Sequence, residues 1–422
     1  MSYALVFRAY PDVDHMVPLA WRLLEDGEEV HGIVSPGYDP RGDYRLHFLA
    51  RYPRFHLYET DGRGVRGLVR RTLPWTLAFV LRRNVRVVGV EWGYGLRDGY
   101  DNLRSLRGLI AVLRSFAGSL RRLRDPRQVR ANFIVAARLL DRRTVCLPHG
   151  LSIKLGRRSD GGKLLAGPYD WRDRNRFAAY VLNTEHHRAW HLERASGDPE
   201  VVQTWGSLRW APDWFRINGG LAPPFEWPAT TTNGGLPALK VVFMVPKWAR
   251  HVDKRATLDL VRRLQELDGI SLAIKGHPRP EDGSADPLRD DPQVDWRRIH
   301  DVAAVDSVSL IAAADVVIDV GSSIGIEVVM QGKVLVNPGY IHDFWTLFDE
   351  VPDSCVVARS AGEVVAYLRA HQAGNPHHVS EAAYRELLRR GVYGSRPEPF
   401  DVLGAYSRRV RALAGAPSET RS

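Results

Sequence analysis

Four short segments carry side chains able to bind phosphate or move a proton, and each follows a run that reads as a strand. The first is Pro148-His149-Gly150-Leu151-Ser152-Ile153-Lys154, after Thr144–Leu147. An imidazole titrating near neutrality on a tight glycine turn is a candidate general base. Lys154 is a candidate contact for an acceptor or a phosphate; the plainer reading of His149 is a turn histidine bonded to a backbone carbonyl. The second is Lys275-Gly276-His277-Pro278-Arg279, where ammonium, imidazole and guanidinium cluster on one turn. Lys275, His277 and Arg279 are donors that suit a phosphate or pyrophosphate, with a solvated basic turn as the alternative. The third runs from Asp315 to Glu327, where a strand ends in Gly321-Ser322-Ser323 and opens a helix. Backbone amides and hydroxyls at such a start can hold an anion, and Glu327, one turn in from Ser323, could accept bonds from ribose hydroxyls; an ordinary capped helix is the simpler case. The fourth pairs Val245-Pro246-Lys247-Trp248 with Thr204-Trp205-Gly206-Ser207-Leu208-Arg209. Lys247 is a further phosphate candidate, and Arg209 is either an acceptor or phosphate contact or a surface residue at a domain edge.

These segments need strands to present them, and the sequence supplies them. Short β-branched runs alternate with helix-period stretches: Ala4–Phe7, a helix around Met16–Glu28, Glu29–Val34, Arg54–Tyr58 and Val85–Val90. Further runs follow at Thr144–Leu147, Phe177–Leu182 and Val201–Trp205, with a helix at Glu185–Ala195 between the last two. Residues 217–238 are rich in Gly, Pro and Thr and read as a linker. Alternation then restarts with Lys240–Val245, Lys254–Leu267, Ser271–Lys275, Ser307–Ala313, Val316–Val320, Ser323–Gln331 and Lys333–Asn337. Two βα arrays predict an α/β protein of two Rossmann-like domains facing across a cleft, residues 1–216 and 239–422, the second ending in a helix. Ligands of such sheets bind beyond the carboxyl ends of the strands, where all four segments fall.

Composition narrows the chemistry. The 422 residues, 44% hydrophobic and 26% charged, exclude a disordered or fibrous chain and leave room for two domains. Cys146 and Cys355 form no metal or disulfide pattern, which fits a reducing compartment. No secretion signal or bilayer-length apolar run is evident, so a cytoplasmic protein is expected. There is no Walker loop, zincin or serine-hydrolase motif, and no Gly-x-Gly-x-x-Gly after the first strand. The net charge of +10 is almost wholly arginine: there are seven lysines, and three of them, Lys154, Lys247 and Lys275, lie in the segments above.

His149-Gly150 with Lys154, Gly206-x-x-Arg209, Lys275-x-His277-Pro278, and Asp319 with Ser322-Ser323 stand in that order over about residues 140–340. In this the chain resembles the CDP-glycerol glycerophosphotransferases, teichoic-acid-type polymerases grouped with capsular polysaccharide transferases, whose fold is of the two-Rossmann GT-B type. The resemblance implies that His149 is the base on an acceptor hydroxyl and that His277 holds the donor's phosphates. Between Asp319 and the serines stands one residue more than that family's spacing. The segment Gly321 to Glu327 also looks like the Gly-Gly-x-x-Glu stretch of UDP-N-acetylglucosamine 2-epimerases. The expectation is a transferase building a cell-envelope polymer from a CDP-glycerol-like or sugar nucleotide donor on a lipid-linked or glycan acceptor. Neither a metal nor another cofactor is called for by this set of cations. The alternatives are a nucleotide-sugar 2-epimerase and a non-catalytic partner in envelope assembly.

A basic arm completes the reading. From Arg104 to Arg143 there are eleven arginines against Asp125 and Asp141, with Arg107, Arg114 and Arg121 edging one apolar stripe. A crossover helix packed on the sheet explains the stripe; an anionic membrane surface on the inner face of the cell membrane is the sharper partner. Nucleic acid is not expected, since no recognition motif or interleaved aromatics accompany the arginines.

Overall fold

The β-branched runs become strands buried on both faces, as parallel sheets covered by helices require. The structure, a computed structural model, describes residues 1–61, 65–91, 126–148, 150–151, 153–157, 171–228, 237–248, 252–276, 286–397 and 400–415. The strands of the first half are β1 (Ser2–Phe7), β2 (Glu29–Val34), β3 (Phe55–Glu59), β4 (Val85–Glu91), β5 (Arg143–Leu147), β6 (Lys154–Arg157), β7 (Ala179–Leu182) and β8 (Val202–Thr204). All but β6 form one parallel sheet, in the order β3-β2-β1-β4-β5-β7-β8. Those of the second half are β9 (Leu239–Met244), β10 (Ile270–Lys275), β11 (Ile299–Asp301), β12 (Val316–Asp319), β13 (Val334–Pro338), β14 (Phe344–Thr346) and β15 (Val356–Ala358). The second parallel sheet runs β11-β10-β9-β12-β13-β15, and β14 pairs antiparallel with β6. Each sheet therefore steps outward from its first strand and then reverses, the Rossmann order with a switch point at β1/β4 and at β9/β12.

The chain divides into two compact units: Met1–Leu151, Gly167–Ile217 and Val392–Ser422 form one, and Ser152–Ala166 with Asn218–Gly391 the other. This departs from the boundaries at residues 216 and 239 in three places, each with a physical cause. β6 leaves the first half because it pairs with β14, and the Leu347 amide bonds the Ile153 carbonyl at 2.8 Å. The last helix, Val402–Gly415, joins the first unit, not the second. Tyr406 is wholly buried there, and its hydroxyl donates to the Gly206 carbonyl at 2.8 Å. The expected linker begins inside a helix, Pro212–Leu221, despite Gly219-Gly220. Pro at its first turn and the fully buried Trp214, beside Trp21 and Phe48, outweigh the cost of about 1 kcal/mol per glycine.

Each unit has its own core. In the first, Val6, Ile33, Val88 and Val90 pack with Phe79, Phe133 and Ile134; in the second, Val241, Phe243, Ile274 and Ile318 pack with Leu260, Val261 and Leu264. Of the expected basic arm, the described part is the helix Pro126–Leu139, which covers the first core with Val129, Phe133 and Ala136. Arg107, Arg114 and Arg121 lie outside the described residues. No described helix is long and apolar enough to cross a membrane.

Candidate functional site

The second unit's switch point gathers the residues that the sequence singles out. Parallel pairing puts Met244 level with Lys275 on one side and with Asp319 on the other. Three strands thus end together, and the chain leaves them through Pro246-Lys247, Gly276 and Gly321-Ser322-Ser323. Lys247, half-buried, stands three residues beyond Met244. Lys275 is buried at 8% exposure, and its ammonium donates to the carbonyls of Val305 at 2.5 Å and Ala303 at 3.2 Å. Burial pushes its pKa down, with Asp306 opposing. Lys275 therefore ties β10 to the turn after β11, and two of its three donors are already engaged.

Asp319 is the centre of the site. It is 3% exposed, and burial pushes its pKa up to about 6; bonds from Ser322 and the charge of Lys154 pull the other way. The Ser322 amide donates to Oδ2 and its hydroxyl to Oδ1, both at 2.7 Å. Gly321, at φ +63°, makes the turn possible: a Cβ there would lie 2.9 Å from His342 Nε2. His342 is itself buried, accepting the Phe344 amide at Nδ1, with Nε2 lying 3.2 Å from Asn337 Oδ1. Ser323 is the N-cap of the helix Ile324–Met330 but makes no side-chain capping bond. Glu327 is buried at 2% exposure on that helix, so only a group that enters the unit can reach it.

Lys154 arrives from far away in sequence. On β6 it lies opposite Thr346, with its ammonium 3.4 Å from the centroid of the Phe344 ring. Thr346 closes this corner by donating its amide and its hydroxyl to Asp349 Oδ2, at 2.7 and 2.8 Å. Cys355 lies near the same carboxylates; burial first, then Asp349 and Asp319, raise its thiol far above the ordinary range, which removes it as a nucleophile.

Arg209 is not a surface residue. It belongs to the first unit, where it is paired with Asp14 and lies over Trp210; Arg45 also pairs with Asp14. His149, His277 and Arg279 lie outside the described residues. Next to His149, the Gly150 carbonyl accepts a bond from Asn183 at 2.8 Å.

The first unit has a switch-point cluster that the sequence did not reveal. Glu91, 3% exposed at the end of β4, accepts from Arg8 at 2.8 Å and from Arg130 at 3.1 Å. Asp12, wholly buried, accepts the Arg8 amide at 2.8 Å. The signal was available only in part: an acid ends β4, as Asp319 ends β12, but its arginines come from β1's exit and from a helix 39 residues further on.

No protein-family model matches the chain, and no curated protein does. Solved structures do, over nearly the whole length. The UDP-GlcNAc 2-epimerase of Methanocaldococcus jannaschii is 10% identical with a TM-score of 0.53, over 99% of this chain and 100% of its own. That of Neisseria meningitidis, bound to UDP-GlcNAc, is 11% identical with a TM-score of 0.52, over 98% and 99%. A glycosyltransferase from Rickettsia africae is 10% identical with a TM-score of 0.53, over 99% of both chains. At such identities the likeness is one of fold. It agrees with the two Rossmann-ordered sheets and with the GT-B level of the sequence resemblance, without reaching its CDP-glycerol level: this chain is an α/β protein of GT-B type.

Proposed function

We propose that the protein is an enzyme acting on a nucleotide sugar, that its second unit holds the nucleotide diphosphate beyond β9, β10 and β12, and that its reaction is epimerisation at C2 of a UDP-N-acetylhexosamine. The observation that carries the reading is the switch point itself, with Lys247 and the Gly321-Ser322-Ser323 turn leaving the two strands that flank it. Support for the substrate class comes from the chain-long likeness to UDP-GlcNAc 2-epimerases. Lys247, with His277 and Arg279, which follow β10 in the sequence, neutralises the phosphates; Glu327 serves the ribose. Lys154 keeps positive charge beside Asp319, so that an arriving diphosphate meets less repulsion. When a base takes the C2 proton, the C2–H electron pair becomes a C1–C2 double bond and the C1–O bond breaks with its pair going to the diphosphate. Re-addition of the diphosphate at C1 with protonation of C2 on the opposite face gives the epimer, so stabilising the leaving diphosphate serves this reaction directly. Calorimetric titration with UDP tests the site: binding that Lys247→Ala weakens about tenfold, with thermal stability unchanged, supports it. Equal binding by the variant places the nucleotide elsewhere.

A second reading, transfer of the activated group to a hydroxyl acceptor with His149 as base, is favoured by the ordered segments from His149 to Ser323 and by the Rickettsia africae glycosyltransferase among the similar structures. It differs in needing an acceptor. In that case CDP-glycerol and UDP-sugars are the donors to compare, and an acceptor presented at an anionic membrane gives the arginine-rich arm a role.

A further inference from the structure

The first sheet brings three metal-ligating side chains together at the amino ends of β2 and β3, the end away from Glu91. Glu29 opens β2 and His31 follows two residues later, so the period of two sets both on one face. His56 on β3 is paired with His31 in the parallel register, which puts it on that face as well. Glu29 Oε1 lies 3.1 Å from His56 Nε2 and 3.6 Å from His31 Nε2, and the three ligand atoms lie within 4.8 Å of one another. Among the described residues this is the one place where three such groups converge.

His31 supplies the independent observation. Its side chain is wholly buried, yet neither ring nitrogen has a hydrogen-bond partner. Leaving a buried polar group unmatched costs about 1–3 kcal/mol, so an isolated structural role does not account for it. Glu29 and His56, 38% and 37% exposed, leave the opposite side open to solvent for entry and for a water ligand. Metal–ligand bonds of about 2.0–2.2 Å in a tetrahedron hold ligand atoms about 3.3 Å apart; the two carboxylate–imidazole pairs, at 3.1 and 3.6 Å, bracket that spacing, and the two imidazole atoms lie within 4.8 Å of each other. Two imidazoles and one carboxylate favour a later first-row divalent ion over magnesium or calcium, which take oxygen ligands.

We propose that Glu29, His31 and His56 bind a divalent transition-metal ion of the zinc class, which clamps β2 to β3 at the end of the sheet away from the switch point. The site stands independently of the nucleotide proposal. The test uses the full chain without a polyhistidine tag, stripped by chelator and titrated with zinc chloride. Expected are about one equivalent bound, a raised thermal midpoint, and at least a tenfold loss of affinity in both Glu29→Gln and His56→Ala, whose half-exposed positions spare the fold. No binding by the wild type, or undiminished binding by both variants, overturns it. Cobalt(II) gives a second readout on the wild type alone: an intense visible band marks the low-coordinate site expected, and the weak spectrum of the hydrated ion contradicts it.

Discussion

Ser322 gives both of its donors to Asp319, the amide to one carboxylate oxygen and the hydroxyl to the other, each at 2.7 Å. The turn that the sequence marks as an anion cradle is thus closed on the protein's own carboxylate, and the charge of that carboxylate sets what the turn can accept. Protonation of Asp319 removes a negative charge from the place where a phosphate would arrive.

A stability profile follows from the same group. Asp319 titrates at about 6 in the folded chain, against about 4 for an ordinary aspartate. Between these values the folded state holds the extra proton, so stability falls as pH rises from about 4 to about 6 and levels off above, by on the order of 3 kcal/mol. Asp319→Asn should flatten this part of the curve relative to wild type. Denaturant unfolding at pH 4, 5, 6 and 7 measures it, and parallel curves for the two proteins would refute the assignment.

Lys154 should act on Asp319 from across the β6/β14 pair. Lys154→Met removes a charge that holds the Asp319 pKa down, so the upper end of the window of falling stability should extend to higher pH while its lower end stays. The ring contact with Phe344 adds about 0.5–1 kcal/mol that the variant also loses. An unchanged window, read from the same unfolding series, would uncouple the two residues.

The C-terminal helix should be part of the first unit's stability. Tyr406→Phe leaves the Gly206 carbonyl without its buried donor, a loss of about 1–3 kcal/mol. Gly206→Ala should cost more, because φ there is +90° and a Cβ would lie 2.6 Å from the Val392 carbonyl oxygen. Thermal unfolding of the two variants checks the order of these effects.

Most of the scaffold was legible in the sequence because buried parallel strands are short β-branched runs. Glu29–Val34 and Ser307–Ala313 appear at their expected bounds, and Val85, Val316 and Lys254 begin elements where expected. What was not legible depends on pairing between distant segments. β6 carries no run that outweighs its neighbours, and it exists because β14 is beside it. The helix Pro212–Leu221 hides behind two glycines and is held by a buried tryptophan. Of the site, the charge of Lys154 acts on Asp319, which only the pairing of β6 with β14 makes possible, while Arg209, offered by the sequence as a contact residue or a surface one, is paired with Asp14 in the first unit. His31 and His56 carry no motif spacing, since only strand register sets them side by side.

The arginine-rich arm gives a separate expectation. If it meets an anionic surface, the protein should float with vesicles containing phosphatidylglycerol and stay behind with phosphatidylcholine vesicles, and the difference should vanish at high salt. Equal recovery with both vesicle types would remove the membrane from the account.

The most direct test of the proposed reaction is proton NMR of UDP-N-acetylglucosamine incubated with the protein in deuterated water and no acceptor. The account predicts appearance of the C2 epimer with deuterium at C2. A spectrum unchanged in C2 proton intensity, under conditions where UDP binding is established, would contradict it.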